Sequence, residues 1–261
     1  MLGQGLDDGD RLRGSLLGAA LGEAMARPAE DGSPPDVQLL ERRLRGEHWS
    51  LGGGMQAALD VGESVLRSGV EAAPRPLHLH HTGDERNLLA ALAVALTGAF
   101  SPGRLRERVA ALYADAPRES AEAALAFSLL LAAIFDGDRL AALDEAAEAA
   151  PPGVGMAMRS APLEDADRLA ASAEPLRSLV AGIWSFYQAE DAVEALLVAA
   201  RTGIGALCGG ICGALAGAWW GRSAIPSELA SKLSGGPARL GDRLAVLLAS
   251  ATNQRYGEFQ G

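Results

Sequence analysis

Apolar residues recur along this chain with a helical period. Over residues 10–25 they fall at Leu12, Leu16, Leu17, Ala20 and Leu21, a stripe that opens on an Asp and breaks near Pro28. Ser33, Pro34 and Pro35 then predict a loop, and residues 36–44 a short charged helix. Met55, Ala58, Leu59, Gly62, Val65 and Leu66 mark one face of a helix over residues 54–67, with Gly69 as its C-terminal stop. The same reasoning predicts helices over residues 84–100, 102–114, 118–135 and 138–149. Pro151, Pro152 and Gly153 read as a loop, because Ala-rich helical sequence resumes beyond them. Helices follow over residues 164–172, 175–188, 190–200, 205–219, 226–233 and 237–251. The fold class is therefore all-α, as a single domain over residues 1–261.

Composition agrees with the pattern. Ala and Leu abound while aromatic and β-branched residues are few, which favours helix over sheet. Gly203, Gly205, Gly209, Gly210, Gly213 and Gly217 crowd one stretch, costly in a helix unless neighbouring backbones approach closely, so this helix is expected at the centre of the core. Cys208 and Cys212, the only cysteines, lie on that stretch four residues apart, as small core residues would.

A formal charge of -10 without a basic cluster in the sequence argues against nucleic acid or an anionic membrane as partner. The longest apolar candidate for a membrane span, residues 121–135, is interrupted by Glu122 and Ser128. The first ten residues lack the features of a signal peptide, so a cytoplasmic protein is expected.

Four segments in order resemble the ADP-ribosylglycohydrolase family, all-helical hydrolases that include the dinitrogenase reductase activating glycohydrolase. Residues 11–30, RLRGSLLGAALGEAMARPAE, resemble the family opening R-x-x-G-x-L-L-G-x-x-x-G-D-A-x-G-x-P-x-E. Residues 52–66, GGGMQAALDVGESVL, resemble the helix T-D-D-T-Q-M-A-L-x-x-A-E-S-L-L. Residues 178–206 resemble the helix pair that leads into a second motif, G-D-x-D-T. Residues 211–226, ICGALAGAWWGRSAIP, resemble I-A-G-A-L-A-G-A-x-x-G-x-x-x-I-P, which follows that motif directly. The resemblance implies a single orthogonal multi-helix domain and, in the family, hydrolysis assisted by a magnesium pair held by the two Asp/Thr motifs.

Those ligands have no counterpart here. Gly52, Gly53, Gly54 and Met55 stand under the first motif, and Ile204, Gly205, Ala206 and Leu207 under the second. Magnesium prefers charged oxygen donors, and none of these eight side chains offers an oxygen. No metal and no cofactor is expected. Other matches are eroded too: GDERNLLAAL over residues 83–92 lacks the family's Met-Arg pair, the stretch over residues 68–83 is short, and Tyr113 and Ala114 stand where the family has Thr-His.

Glu30 lies under the family's acidic position at the end of its first motif, and Glu23 replaces the Asp of the Gly-Asp pair. Read as catalysts, Glu30 acts as general acid or base with Glu23 or Asp31 as partner. Read structurally, all three are surface acids near a loop. His78, His80 and His81 read as a solvated loop or, at most, a weak transition-metal tract. Trp49, Trp219 and Trp220 pack in the core or stack on a flat ring, with Trp220 the candidate at a rim. The two vacated helix starts and Trp220 are the candidate ligand-binding positions. The expected function is that of a pseudoenzyme binding an ADP-ribose-like ligand or a protein partner. The alternative is a metal-independent hydrolase or lyase that acts on an N-ribosyl or NAD-derived metabolite through Glu30 and Glu23.

Overall fold

A computed structural model describes residues 7–29, 33, 35–46, 48–69, 74, 85–98, 102–136, 138–171, 174–233 and 235–258. The α-helices in chain order are α1 (Asp8–Met25), α2 (Val37–Arg45), α3 (Gly53–Ser68), α4 (Leu92–Gly98), α5 (Pro102–Leu112), α6 (Arg118–Asp136) and α7 (Arg139–Ala149). They continue with α8 (Pro152–Ser160), α9 (Leu176–Tyr187), α10 (Ala192–Arg201), α11 (Ala206–Trp220), α12 (Ser227–Ala230) and α13 (Gly236–Glu258). Among the described residues there is no strand, only an isolated bridge between Trp49 and Leu233. No described helix is long and apolar enough to cross a membrane.

Local chemistry sets several of the boundaries. Asp36 caps α2 by accepting from the Leu39 amide at 2.6 Å, Asp138 caps α7 through Leu140, and Asp191 caps α10 through Glu194. Four expectations are corrected. Pro152 opens α8 instead of lying in a loop, since proline at the first helical position gives up only an amide that would be unpartnered anyway. The helix expected over residues 164–172 is replaced by two short 3-10 turns, Ala161–Leu163 and Ala166–Ala171. The stretch expected as one helix over residues 84–100 begins as a 3-10 segment, Glu85–Ala91, before α4. The expected helix over 226–233 shortens to the single turn of α12.

At the centre α1 packs along α11, both almost wholly buried. Glycines four apart on each helix face one another. A Cβ on Gly14 would lie 2.3 Å from the Gly217 carbonyl oxygen, one on Gly18 2.1 Å from that of Gly213, and one on Gly22 1.9 Å from that of Gly209. The reciprocal positions on α11 are as tight, so the two backbones touch and nothing larger than hydrogen fits between them. The central position expected for the glycine-rich helix is what the structure has. Cys208 and Cys212 are buried in it as free thiols. From Leu12 to Leu248 the buried apolar side chains form one continuous cluster.

Arg11 ties this pair to α6. Its Nε donates to the Ala218 carbonyl at 2.7 Å, and its Nη1 and Nη2 donate to the carbonyls of Phe135 and Ile134, so one cation serves the C-terminal ends of two helices. A buried guanidinium is favourable there because it meets the negative ends of helix dipoles and their unpaired carbonyls.

Candidate functional site

Two helix starts meet the last turn of α1. Gly52 is the N-cap of α3 and has no side chain with which to cap it. The cap comes instead from α1: Glu23 Oε1 accepts from the Gly54 amide at 2.9 Å, and Oε2 from the Met55 amide at 3.0 Å. Glu23 is 2 % exposed, which corrects its reading as a surface acid. Burial raises its pKa above the usual 4.5, outweighing the opposing pull of the Met55, Gly54 and Gly52 amides and the nearby Arg27 charge. A Cβ on Gly52 would lie 2.1 Å from the Glu23 carboxyl carbon, so the carboxylate fills the place where a residue-52 side chain would start.

The second start is built differently. Gly205 has φ 128°, a conformation that only glycine adopts without strain, and α11 has no side-chain cap there. Thr202 steadies the approach: its hydroxyl donates to the Ala199 carbonyl at 2.8 Å and accepts from the Ile204 amide at 3.3 Å. The same oxygen lies 3.7 Å from Cys208 Sγ. Leu207 is buried, while Ile204 and Ala206 are partly exposed. Because Gly209 packs on Gly22 and a Cβ on it would meet Ala26, the first turn of α11 sits beside the last turn of α1.

The structure therefore brings Glu23, Gly52, Gly53, Gly54 and Met55 into one cluster, with Gly205, Ala206 and Leu207 next to the same end of α1. It does not bring Trp220 there. That residue is at the far end of α11, roughly 20 Å along the helix from Ala206. Its ring packs edge-on against Phe186 at 5.6 Å and beside the Arg139 guanidinium. Glu30, Asp31, His78, His80 and His81 lie outside the described residues. Among the described residues no three His, Cys, Asp or Glu side chains gather as a metal site would require.

The sequence reading missed a pair of cations at this end of α1. Arg43, on α2, donates to the Met25 carbonyl at 2.6 Å and to the Pro28 carbonyl at 3.2 Å, on either side of Arg27. Arg27 reaches Ser50, whose Oγ is 3.1 Å from its Nη1. The RR-x-R run of α2 was the one visible signal; its meeting with Arg27 depends on tertiary structure.

A sequence model of the ADP-ribosylglycohydrolases matches residues 38–258. A solved structure described as an ADP-ribosylglycohydrolase-related protein complex shares 18% identity with this chain and superposes with a TM-score of 0.68. That likeness covers 93% of this chain and 98% of the other. No curated protein gives a match. With the family pattern matched over residues 38–258, most of this chain, and the fold shared, this chain belongs to the ADP-ribosylglycohydrolase family.

Proposed function

We propose that this family member performs no magnesium-dependent hydrolysis and binds an ADP-ribose-like ligand at the end of α1 where the two helix starts meet. The observation that carries this reading is the state of Glu23. A magnesium ion requires several oxygens in octahedral array, at least one or two of them charged. The aligned positions, Gly52 to Met55 and Ile204 to Leu207, supply no side-chain oxygen. The one described carboxylate beside them has each oxygen on an amide of α3. The residues present do not fit the family's magnesium pair.

The same geometry weighs against Glu23 as a general acid or base. Proton transfer needs a carboxyl oxygen within hydrogen-bond reach of the substrate, and both Glu23 oxygens point into the protein. A glycosidase of the usual kind needs two such groups flanking the scissile bond.

The test is calorimetric titration with ADP-ribose in magnesium and in EDTA, alongside an assay for ADP-ribose release from a modified protein. Binding of similar strength in both buffers, with no release, is the expected result. Release that EDTA abolishes would overturn the proposal, and so would binding that requires magnesium.

A further inference from the structure

Arg27 and Arg43 are held together by neutral oxygens. Arg43 donates to the carbonyls of Ala24, Met25 and Pro28, so its guanidinium brackets the backbone of Arg27. Arg27 donates to the Ser50 hydroxyl at 3.1 Å and the Ser50 carbonyl at 3.3 Å, on the segment that runs through Leu51 into Gly52 and α3. A guanidinium carries five N–H donors, and these contacts use three from Arg43 and two from Arg27.

The charge is offset only in part: Glu23 lies near enough to feel the Arg27 charge but forms no ion pair with it. No described carboxylate forms an ion pair with either side chain; Glu41 is taken by Arg45 at 2.9 Å, and Glu23 faces the amides of α3. Both arginines are only partly exposed, so their repulsion is screened less than it would be in water. Burial and the Arg27 charge together lower the Arg43 pKa. In a chain of net charge -10 this corner runs against the average.

We propose that Arg27 and Arg43 form the phosphate-binding end of the ligand site and take the diphosphate of a nucleotide-type ligand. Each planar fork with unused donors can take a pair of phosphate oxygens, which a lysine, as a point charge, does not offer. Glu23 already occupies the amides at the start of α3, so the guanidiniums, not the helix terminus, meet the anion. This inference rests on the ligand reading above and deepens it by naming the part of the ligand that this corner holds.

The test is titration at low salt with inorganic pyrophosphate, orthophosphate and ADP-ribose against the wild type and two variants. Arg27→Gln removes the charge. Ser50→Ala removes the hydroxyl that holds Arg27 while keeping the charge, and thermal unfolding reports whether either variant is damaged. Pyrophosphate is expected to bind the wild type more tightly than orthophosphate, weaken as salt rises, and lose about tenfold or more in Arg27→Gln but little in Ser50→Ala. ADP-ribose should follow the same order. If ADP-ribose binds but pyrophosphate does not, or if Arg27→Gln binds both like the wild type, the phosphate site is overturned and the ligand reading stands. If pyrophosphate binds through Arg27 but ADP-ribose does not bind, the nucleotide assignment is overturned. If neither binds, both fall.

Discussion

Glu23 and Gly52 constrain one another across two helices. The carboxylate is satisfied only by reaching the amides of Gly54 and Met55, and on the way it fills the space beside the Gly52 α-carbon. Gly52→Ala should therefore cost about 1–3 kcal/mol, the usual range for forcing atoms into a filled site. Glu23→Asp withdraws the carboxylate by one methylene, so the alanine should cost much less in that background. A double-mutant cycle measured by urea unfolding checks this, and simple additivity of the two changes would refute it. The sequence made each half of this pair visible, Glu where the family has Asp and Gly where it has Thr. It did not show that the halves touch. Glu23 read as a surface acid because acidic residues are rarely buried without partners, and here the partners are backbone amides of a distant segment. The Arg27 and Arg43 pair was hidden for a similar reason, since a loop and a helix bring the two together.

Among the elements, the α1–α11 crossing tolerates least. At Gly213 a Cβ would lie 2.0 Å from the Gly18 carbonyl oxygen, and at Gly153, in the first turn of α8, it would meet nothing within 4 Å. Gly213→Ala has to push two helix backbones apart along a line of contacts, so a loss of several kcal/mol, or failure to fold, is expected. Gly153→Ala should be neutral or stabilise by up to about 1 kcal/mol, because alanine is the better helix former and the space is open. Thermal unfolding of the two variants checks the contrast; a Gly213→Ala protein as stable as the wild type would mean the crossing is not close-packed in solution. The four-residue spacing on α11 was legible as a packing signal, and α1 carries the same spacing at Gly14, Gly18 and Gly22. Most α-helices were legible from the apolar stripe. Two of the failures fall where proline has two meanings: Pro152 starts a helix although it looks like a break, and Pro162 sits in a 3-10 turn where a helix was expected nearby.

For the whole molecule, burial of its weak acids makes alkaline stability depend on the core. Cys208 is fully enclosed and its thiol is pushed up from the usual 9.0 to about 12; Cys212 is also raised, by burial first and then by the neighbouring thiol. In the unfolded chain both thiols lose their protons near the usual value, and in the folded protein they keep them. Above pH 9 the unfolded state therefore binds fewer protons, and stability falls as pH rises, by about 1.4 kcal/mol per unit for each thiol until its folded pKa is passed. Below pH 9 the contribution is fully present. Tyr113 and Tyr187 are raised by burial in the same sense and add their own loss above their usual 10.0. Replacing both cysteines with alanine removes the first of these slopes and leaves the second, along with any repulsion from the net negative charge. Urea unfolding at a series of pH values should thus show the wild type losing stability faster than Cys208→Ala/Cys212→Ala between pH 9 and 10, with similar slopes at neutral pH. Equal slopes in the two proteins over that alkaline interval would mean the thiols reach solvent in the folded state and that the face of α11 turned toward Ala195 and Thr202 is open to water.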